Sequence, residues 1–386
     1  MASKEPRMTA NVTSRLRTVR NSLAAAAAAI ALAAGVASPA LAQSAQARFD
    51  AFVQRLKPEA MKAGVSSALY DRAFRGLKVD QEAIDKSNTQ LEFKQSIAVY
   101  IDTQVSDTRI ANGKANAAKY ADLLTRIERT YGVDRYIVLG VWGMETNYGS
   151  SMGGHNVIEA LATLACCATR RPEFFRKELI AALQILQQGN VAPENMIGSW
   201  AGAMGQTQFM PTSFKAYAAD GDGDGKRDIW GSTADALAST ANYLRKHGWK
   251  SGVRWGQEVT GGGGEGKLFR PGGPNGPAFM TTSNYRVIKR YNNADSYALA
   301  VAHLSDRIRG GGPIQTPWPN HDKPLDEPGR FELQALLARR GYDVGEPDGK
   351  IGPATRTAII AYQRSQGVLP DGYASVSLLR RMKAGR

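Results

Sequence analysis

The sequence predicts a mainly α-helical chain of the α+β kind: a large helical domain with one small β and loop excursion, then a linker and a compact three-helix block. Three observations carry that prediction. Long segments repeat apolar residues at helical spacing and close on glycine; residues 250–292 are glycine-rich with short β-prone pieces; and a Gly/Pro-rich break falls at 310–319. A chain of 386 residues has room for about two domains plus tails.

Residues 1–42 stand apart. Arg15, Arg17 and Arg20 form a basic region, 23–36 is an Ala-rich apolar run, and Ser-Pro-Ala-Leu-Ala (38–42) puts small residues where a signal peptidase reads them. This is the pattern of a cleavable export signal, and a soluble periplasmic protein is expected. The apolar run is short for an anchor, the segment has no Cys for lipid attachment, and no later stretch is apolar enough to span a bilayer. Losing residues 1–42 removes five Lys/Arg and one acid, which lowers the net charge from +14 to +10. Such a balance favours polyanionic partners. With no zinc-finger spacing or RNP-like aromatic pattern, those partners are polymers of the cell envelope rather than nucleic acid.

The helical domain is read over 43–310. Helices are expected over 49–62, over 115–131 (closed by Gly132), over 176–188 (closed by Gly189), over 234–247 (closed by Gly248) and over 297–309. Within 250–292, the stretch 285–291 is β-prone and the excursion is expected to wall one side of a site. Residues 311–328 read as a linker by composition. In the block 329–386, helices are expected at 331–341, 355–366 and 375–382, around a double turn at 345–353; some 55 residues can just bury a core of their own. The only cysteines are the neighbours Cys166 and Cys167, which offer no disulfide framework and read as small buried hydrophobes.

Glu145 is the most informative side chain. It sits in Val-Trp-Gly-Met-Glu-Thr-Asn-Tyr-Gly (141–149), at the glycine-marked end of an apolar helix. Burial and the negative helix end both raise a carboxyl pKa. A carboxyl group protonated near neutral pH is what a general acid needs to protonate a glycosidic oxygen. The alternative is a Glu that reaches the surface or caps a loop. A second charged feature, Asp-Gly-Asp-Gly-Asp-Gly-Lys-Arg-Asp (220–228), reads as an EF-hand-like loop for a structural calcium ion. Asp220, Asp222 and Asp224 supply hard oxygens and Lys226 its carbonyl, but the twelfth position is Gly231 rather than Glu. The alternative there is an Asp/Gly surface turn without metal.

Six motifs in order give 43–310 a resemblance to the lytic murein transglycosylase B family. They are Val-Ser-Asp-Thr-Arg-Ile-Ala-Asn-Gly (105–113), Trp-Gly-Met-Glu-Thr-Asn-Tyr-Gly (142–149), Gly-Ser-Trp-Ala-Gly-Ala-Met-Gly-Gln-Thr-Gln-Phe-Met-Pro (198–211), the Asp/Gly loop continuing through Ile229-Trp230, Asn-Tyr-Leu-Arg-Lys-His-Gly-Trp (242–249) and Arg-Tyr-Asn-Asn-Ala-Asp-Ser-Tyr-Ala-Leu-Ala-Val (290–301). The resemblance implies a lysozyme-like fold with Glu145 as the single acid/base and no cofactor required for the chemistry. It implies substrate contacts from Ser199, Gln208, Tyr243, Tyr291, Asn292 and Tyr297, and from Arg170 and Arg171 toward carboxylates of the substrate. It also implies that a later aspartate closes the metal loop, Asp235 first and Asp228 second. The 329–386 block resembles peptidoglycan-binding domains through Leu-Gln-Ala-Leu-Leu (333–337), Gly-Tyr-Asp-Val-Gly (341–345), Asp-Gly-Lys-Ile-Gly-Pro-Ala-Thr (348–355) and Ala-Ile-Ile-Ala-Tyr-Gln (358–363). The expected partner is therefore peptidoglycan, both glycan strands and stem peptides. A water-using muramidase and a non-catalytic wall-binding scaffold are the rival readings.

Overall fold

The computed structural model describes residues 39–88, 96–260, 266–272, 275–319, 322–368, 370 and 372–385. Of the expected export signal, only 39–42 fall within them, in the first turn of α1 (Pro39–Lys62); the rest lies outside the described residues. Helices α2 (Ser67–Ala73), α3 (Gln81–Asn88), α4 (Ile97–Gln104), α5 (Asp107–Lys119), α6 (Ala121–Tyr131), α7 (Arg135–Thr146), α8 (Val157–Cys167), α9 (Pro172–Gln187), α10 (Pro211–Tyr217), α11 (Thr233–Lys246), α12 (Ser283–Tyr291) and α13 (Asp295–Arg309) build the first body. One hydrophobic core runs through it from Phe49 to Ile308.

Several helices begin on a side chain that accepts an otherwise orphaned backbone N–H: Ser66, Ser96, Ser106, Asp134, Asn156 and Ser232. The expected helix over 115–131 is two helices. Tyr120 leaves helical geometry (φ −108°, ψ 25°) and turns its ring edge-on to Trp142, at 5.9 Å, so packing interrupts a continuous periodicity. Two strands, β1 (His155–Asn156) and β2 (Ile197–Gly198), pair antiparallel beside α8.

The glycine-rich stretch holds a three-stranded antiparallel sheet, β3 (Gly256–Glu258), β4 (Lys267–Phe269) and β5 (Phe279–Thr281), with β5 in the centre. Residues 285–291, expected as β-prone, form α12 instead. Thr282 caps that helix through Asn284 N, and the fully buried Asn284 side chain ties Lys250 and Val253 to it by three hydrogen bonds of 2.6–2.8 Å. Tyr285, Ile288 and Tyr291 then share one face at helical spacing, which overrides their β propensity.

The adjacent cysteines are joined as a disulfide, against the expectation of two free buried thiols. Both are half-buried and close the last turn of α8, where Ala168 leaves the helix in extended geometry and gives the small ring room. After α13, residues 314–318 do not hang free as their composition suggested. Glu258 accepts hydrogen bonds from Gln315 N and Thr316 N, both 2.8 Å, and Ile314 and Trp318 pack on the main core. The second body has its own core, from Leu325 to Met382, between α14 (Glu327–Arg339), α15 (Pro353–Ser365) and α16 (Val376–Lys383). Buried Gln334 knots its central turn by bonding Asp348, Gly349, Lys350 and Thr355.

Candidate active site

Helix α7 explains itself from sequence. Asp134 caps its start through Tyr136 N, and Ile137 to Gly143 are buried without interruption. Gly143 has no side chain because the Tyr148 ring occupies that space; a Cβ there would lie 2.7 Å from the ring. The helix ends by turning left-handed at two consecutive non-glycine residues, Asn147 (φ 46°) and Tyr148 (φ 61°), with their N–H groups reaching back to Gly143 and Trp142. Left-handed geometry is uncommon for such residues and clusters at functional sites. It is held by the Tyr148 hydroxyl donating to Arg109 O at 2.8 Å and by Tyr148 meeting Trp142 edge-on.

This turn leaves Glu145 half-buried in the last turn of α7. The Tyr297 hydroxyl of α13 donates to Glu145 Oε1 at 2.6 Å. Loss of hydration raises the carboxyl pKa to about 7, and the Tyr297 hydrogen bond opposes that rise. Among the described residues, no neighbouring acid or cation contributes to that rise. Burial and the Glu145 charge together push the hydroxyls of Tyr291 and Tyr297 well above their ordinary range, so both stay neutral donors.

Of the expected contacts, Tyr297 and Tyr291 therefore stand at Glu145. Tyr291 donates to Thr207 O at 2.8 Å and meets Tyr243, which donates to Arg290 O at 2.7 Å and stacks on His247. Gln208 adopts φ 51° and donates to Met152 O and Gly205 O, pinning the turn between β2 and α10. Ser199 caps a tight loop by accepting from Ala203 N. Asn292 is exposed at the end of α12. Arg170 and Arg171 are exposed at the α8–α9 corner, where Arg171 lies over Phe174 at 4.0 Å; no hydrogen bond or ring contact joins them to the Glu145 group.

Two residues escaped sequence reasoning. Tyr100 on α4 is close enough that, after burial, the Glu145 charge raises its hydroxyl to about 12. Nothing in its local pattern marks it. Gln206, almost wholly buried, accepts from Trp142 Nε1 at 3.0 Å and donates to Trp230 O at 3.1 Å, while its carbonyl accepts from Thr146 Oγ1 at 2.9 Å. It fastens α7 to the loop that carries Gln208. A buried amide inside Gly-Gln-Thr-Gln was the available signal.

In the Asp/Gly loop the carboxylate oxygens of Asp220, Asp222 and Asp224 come within 4.8 Å of one another. Backbone N–H groups of Gly225 and Gly223 hold Asp220 below the usual carboxylate range, and all three side chains are exposed. Asp235 is not drawn into that trio. Its oxygens accept from Gly221 N (2.7 Å) and Asp228 N (2.6 Å), which stitches the two ends of the loop. Asp228 in turn accepts from Trp230 N and Gly231 N. Lys226 is exposed, with its N–H on Asp224. Three oxygen donors on a turning chain fit a hard cation.

The chain matches the transglycosylase SLT domain family over residues 48–265 and 260–306, and a peptidoglycan binding domain family over 326–382. Membrane-bound lytic murein transglycosylase B of Escherichia coli (strain K12) is 40% identical over 242 residues, 53% of this chain and 65% of that protein; the chain thus spans just under two thirds of this relative's length. SltB3 from Pseudomonas aeruginosa, solved in complex with NAG-anhNAM-pentapeptide, is 43% identical with a TM-score of 0.69, covering 87% of this chain and 99% of that one. The Escherichia coli lytic transglycosylase Slt35, solved in complex with calcium, is 27% identical with a TM-score of 0.58, covering 68% of this chain and 92% of that one.

Proposed function

Because this chain belongs to the transglycosylase SLT domain family, we propose that it is a peptidoglycan lytic transglycosylase that cleaves the β-1,4 bond between N-acetylmuramic acid and N-acetylglucosamine with Glu145 as its single acid/base. The observation that carries this reading is the Glu145 carboxyl itself: raised to about 7, held by Tyr297 and without an acidic neighbour among the described residues. Ordinary glycosidases pair two carboxyl groups about 5–9.5 Å apart. A lone acid needs a substrate that supplies its own nucleophile.

The proton then moves in a closed loop. Protonated Glu145 donates to the glycosidic oxygen as the bond to muramoyl C1 breaks, and the substrate's 2-acetamido oxygen stabilises the cation that forms. Ionised Glu145 next takes the proton of the muramoyl 6-hydroxyl as that oxygen bonds to C1. The product ends in a 1,6-anhydro ring, no water is consumed, and Glu145 is protonated again. Tyr297 holds the carboxyl in place through both steps, and neutral Tyr291 and Tyr100 wall it without competing for the proton.

Around this centre, residues 43–310 are the catalytic domain and 329–386 a wall-binding module; Ser199, Gln208, Tyr243, Tyr291, Asn292, Arg170 and Arg171 are its substrate contacts. The chain is exported and acts in the periplasm. No helix among the described residues is long and apolar enough to cross a membrane. Asp220, Asp222 and Asp224, with the Lys226 carbonyl, hold a structural calcium ion, as the solved complex of Slt35 with calcium supports. Asp235 serves as second-line support to that loop.

Mass spectrometry of the soluble products from purified sacculi tests the reaction. Muropeptides ending in 1,6-anhydro-muramic acid are expected, and Glu145→Gln is expected to abolish them while still pelleting with sacculi. Products heavier by one water would make the enzyme a muramidase. Pelleting without any release would leave a wall-binding scaffold.

A further inference from the structure

Two helices carry residues to Glu145: the short α4, which touches the C-terminal module, and the longer α13, which lies beside the residue that anchors the strap leading to it. On α4, Tyr100 faces the Glu145 charge, while Asp102, two residues on and so on the other side of the helix, accepts from the Tyr373 hydroxyl of the module at 2.8 Å. On α13, Tyr297 holds Glu145, while His303 lies where it feels the charges of Glu258, the strap's anchor, and of Asp102. Helices α4 and α13 pack against each other.

Tyr373 is 5% exposed, yet it is not part of the module's own hydrophobic cluster. Its hydroxyl reaches α4 across the junction. The strap is fixed independently: Glu258 accepts from two consecutive backbone N–H groups, and Trp318 and Pro319 press on Gly272 and Gly276, where added Cβ atoms would lie at 3.0 and 2.9 Å. At the next contact outward, Arg356 of α15 lies within electrostatic reach of Arg109, whose carbonyl accepts the Tyr148 hydroxyl. A helix of eight residues has too little internal stability to hold its own place and takes it from its neighbours.

We propose that the C-terminal module is a positioning element of the catalytic centre: docked through Tyr373 and the Glu258-held strap against α4 and α13, it fixes the two helices that bring Tyr100 and Tyr297 to Glu145. This rests on Glu145 being the acid/base. It gives the module a part in the chemical step that a tether, which only raises local substrate concentration, would not have. Tyr373 and Glu258 act through other residues and touch no substrate.

The test uses the purified chain with Tyr373→Phe and Glu258→Gln combined, compared by three readouts. Small-angle scattering and calorimetry report docking: the double variant is expected to scatter as a larger particle and to melt in separated transitions. Carbon NMR of carboxyl-labelled glutamate, assigned with Glu145→Gln, reports the Glu145 titration without turnover. Its midpoint is expected to move by at least half a unit, downward where water reaches a loosened carboxyl and upward where the Tyr297 hydrogen bond is lost. On a soluble glycan too short to reach the module, kcat is expected to fall about fivefold with KM unchanged.

An unchanged midpoint and kcat, with only sacculus binding weakened, overturns the proposal and leaves a tether. A double variant that scatters and melts as the parent shows that these residues do not hold the module, and overturns it equally. If no form of the chain releases anhydro-muropeptides, the reaction reading fails, and the NMR midpoint still decides the positioning.

Discussion

Glu145 is a group whose environment works against its charge, and the consequence is visible in stability as well as rate. Its pKa is raised from an ordinary 4.5 to about 7, so the folded state binds the proton more tightly than the unfolded state. Stability from this group is therefore greatest at low pH and declines as pH rises between those two values. Above the upper one, ionised Glu145 costs about 2–3 kcal/mol, at 1.36 kcal/mol per unit and discounted for the open cleft. Glu145→Gln should thus be more stable than the parent by about that amount at pH 8 and nearly equal to it at pH 4, in urea unfolding followed by circular dichroism. An equal difference at both pH values would mean that the carboxyl is not perturbed. The same substitution should lower the rate by about 10³-fold, the scale of general acid catalysis. Tyr297→Phe has the opposite electrostatic sign. It removes the hydrogen bond that favours the ionised form, so the alkaline limb of kcat against pH should move upward while kcat itself falls. A limb that moves down would show that Tyr297 does not hold the carboxylate.

The helices with clean apolar periodicity and glycine stops were legible from sequence: 49–62 lies within α1, and 176–188, 234–247 and 297–309 correspond to α9, α11 and α13. Where tertiary contacts outweighed local pattern, they were not. Tyr120 breaks a periodic run because its ring serves Trp142, and 285–291 turns helical because Asn284 anchors it from outside the run. For the site, the perturbed carboxyl of Glu145 was legible, since a lone Glu at a glycine-marked end of an apolar helix needs a reason. Tyr100 and Gln206 were not, because Tyr100 depends on Glu145, 45 residues on, and Gln206 ties to Thr146 and Trp142, 60 and 64 residues back. The Asp/Gly loop was legible as an element but not its closure, since Asp235 bonds backbone N–H groups that only the folded loop presents. If calcium binds there, it stabilises only the form that gathers Asp220, Asp222 and Asp224. By mass action, calcium at about 100 times its Kd should raise Tm by roughly 5 °C, and Asp220→Ala should abolish that rise without lowering Tm in chelator. Equal destabilisation with and without chelator would make the loop a plain structural turn.

The molecule as a whole is basic, and its charge is unevenly shared. Without residues 1–42 the net charge is +10, and the 58 residues from 329 to 386 hold ten Lys/Arg against five Asp/Glu, half of that excess in under a fifth of the chain. Arg380, Arg381 and Lys383 line the exposed side of α16, and Arg339 and Arg340 are exposed at the end of α14. Among the described residues the half-buried Glu145 has no charged neighbour to be screened, so salt should separate attachment from chemistry. Exposed charges act over a Debye length of about 10 Å at 0.1 M salt and about 3 Å at 1 M. Raising salt across that range should therefore release most of the chain from sacculi in a pelleting assay, while its kcat on a short soluble glycan with capped lactyl carboxyls changes less than about twofold. Retention at 1 M would mean that the module holds the wall by shape and hydrogen bonds rather than by its cations. A matching fall in kcat would mean that charge reaches the site itself, through the docked face where Arg356 approaches Arg109.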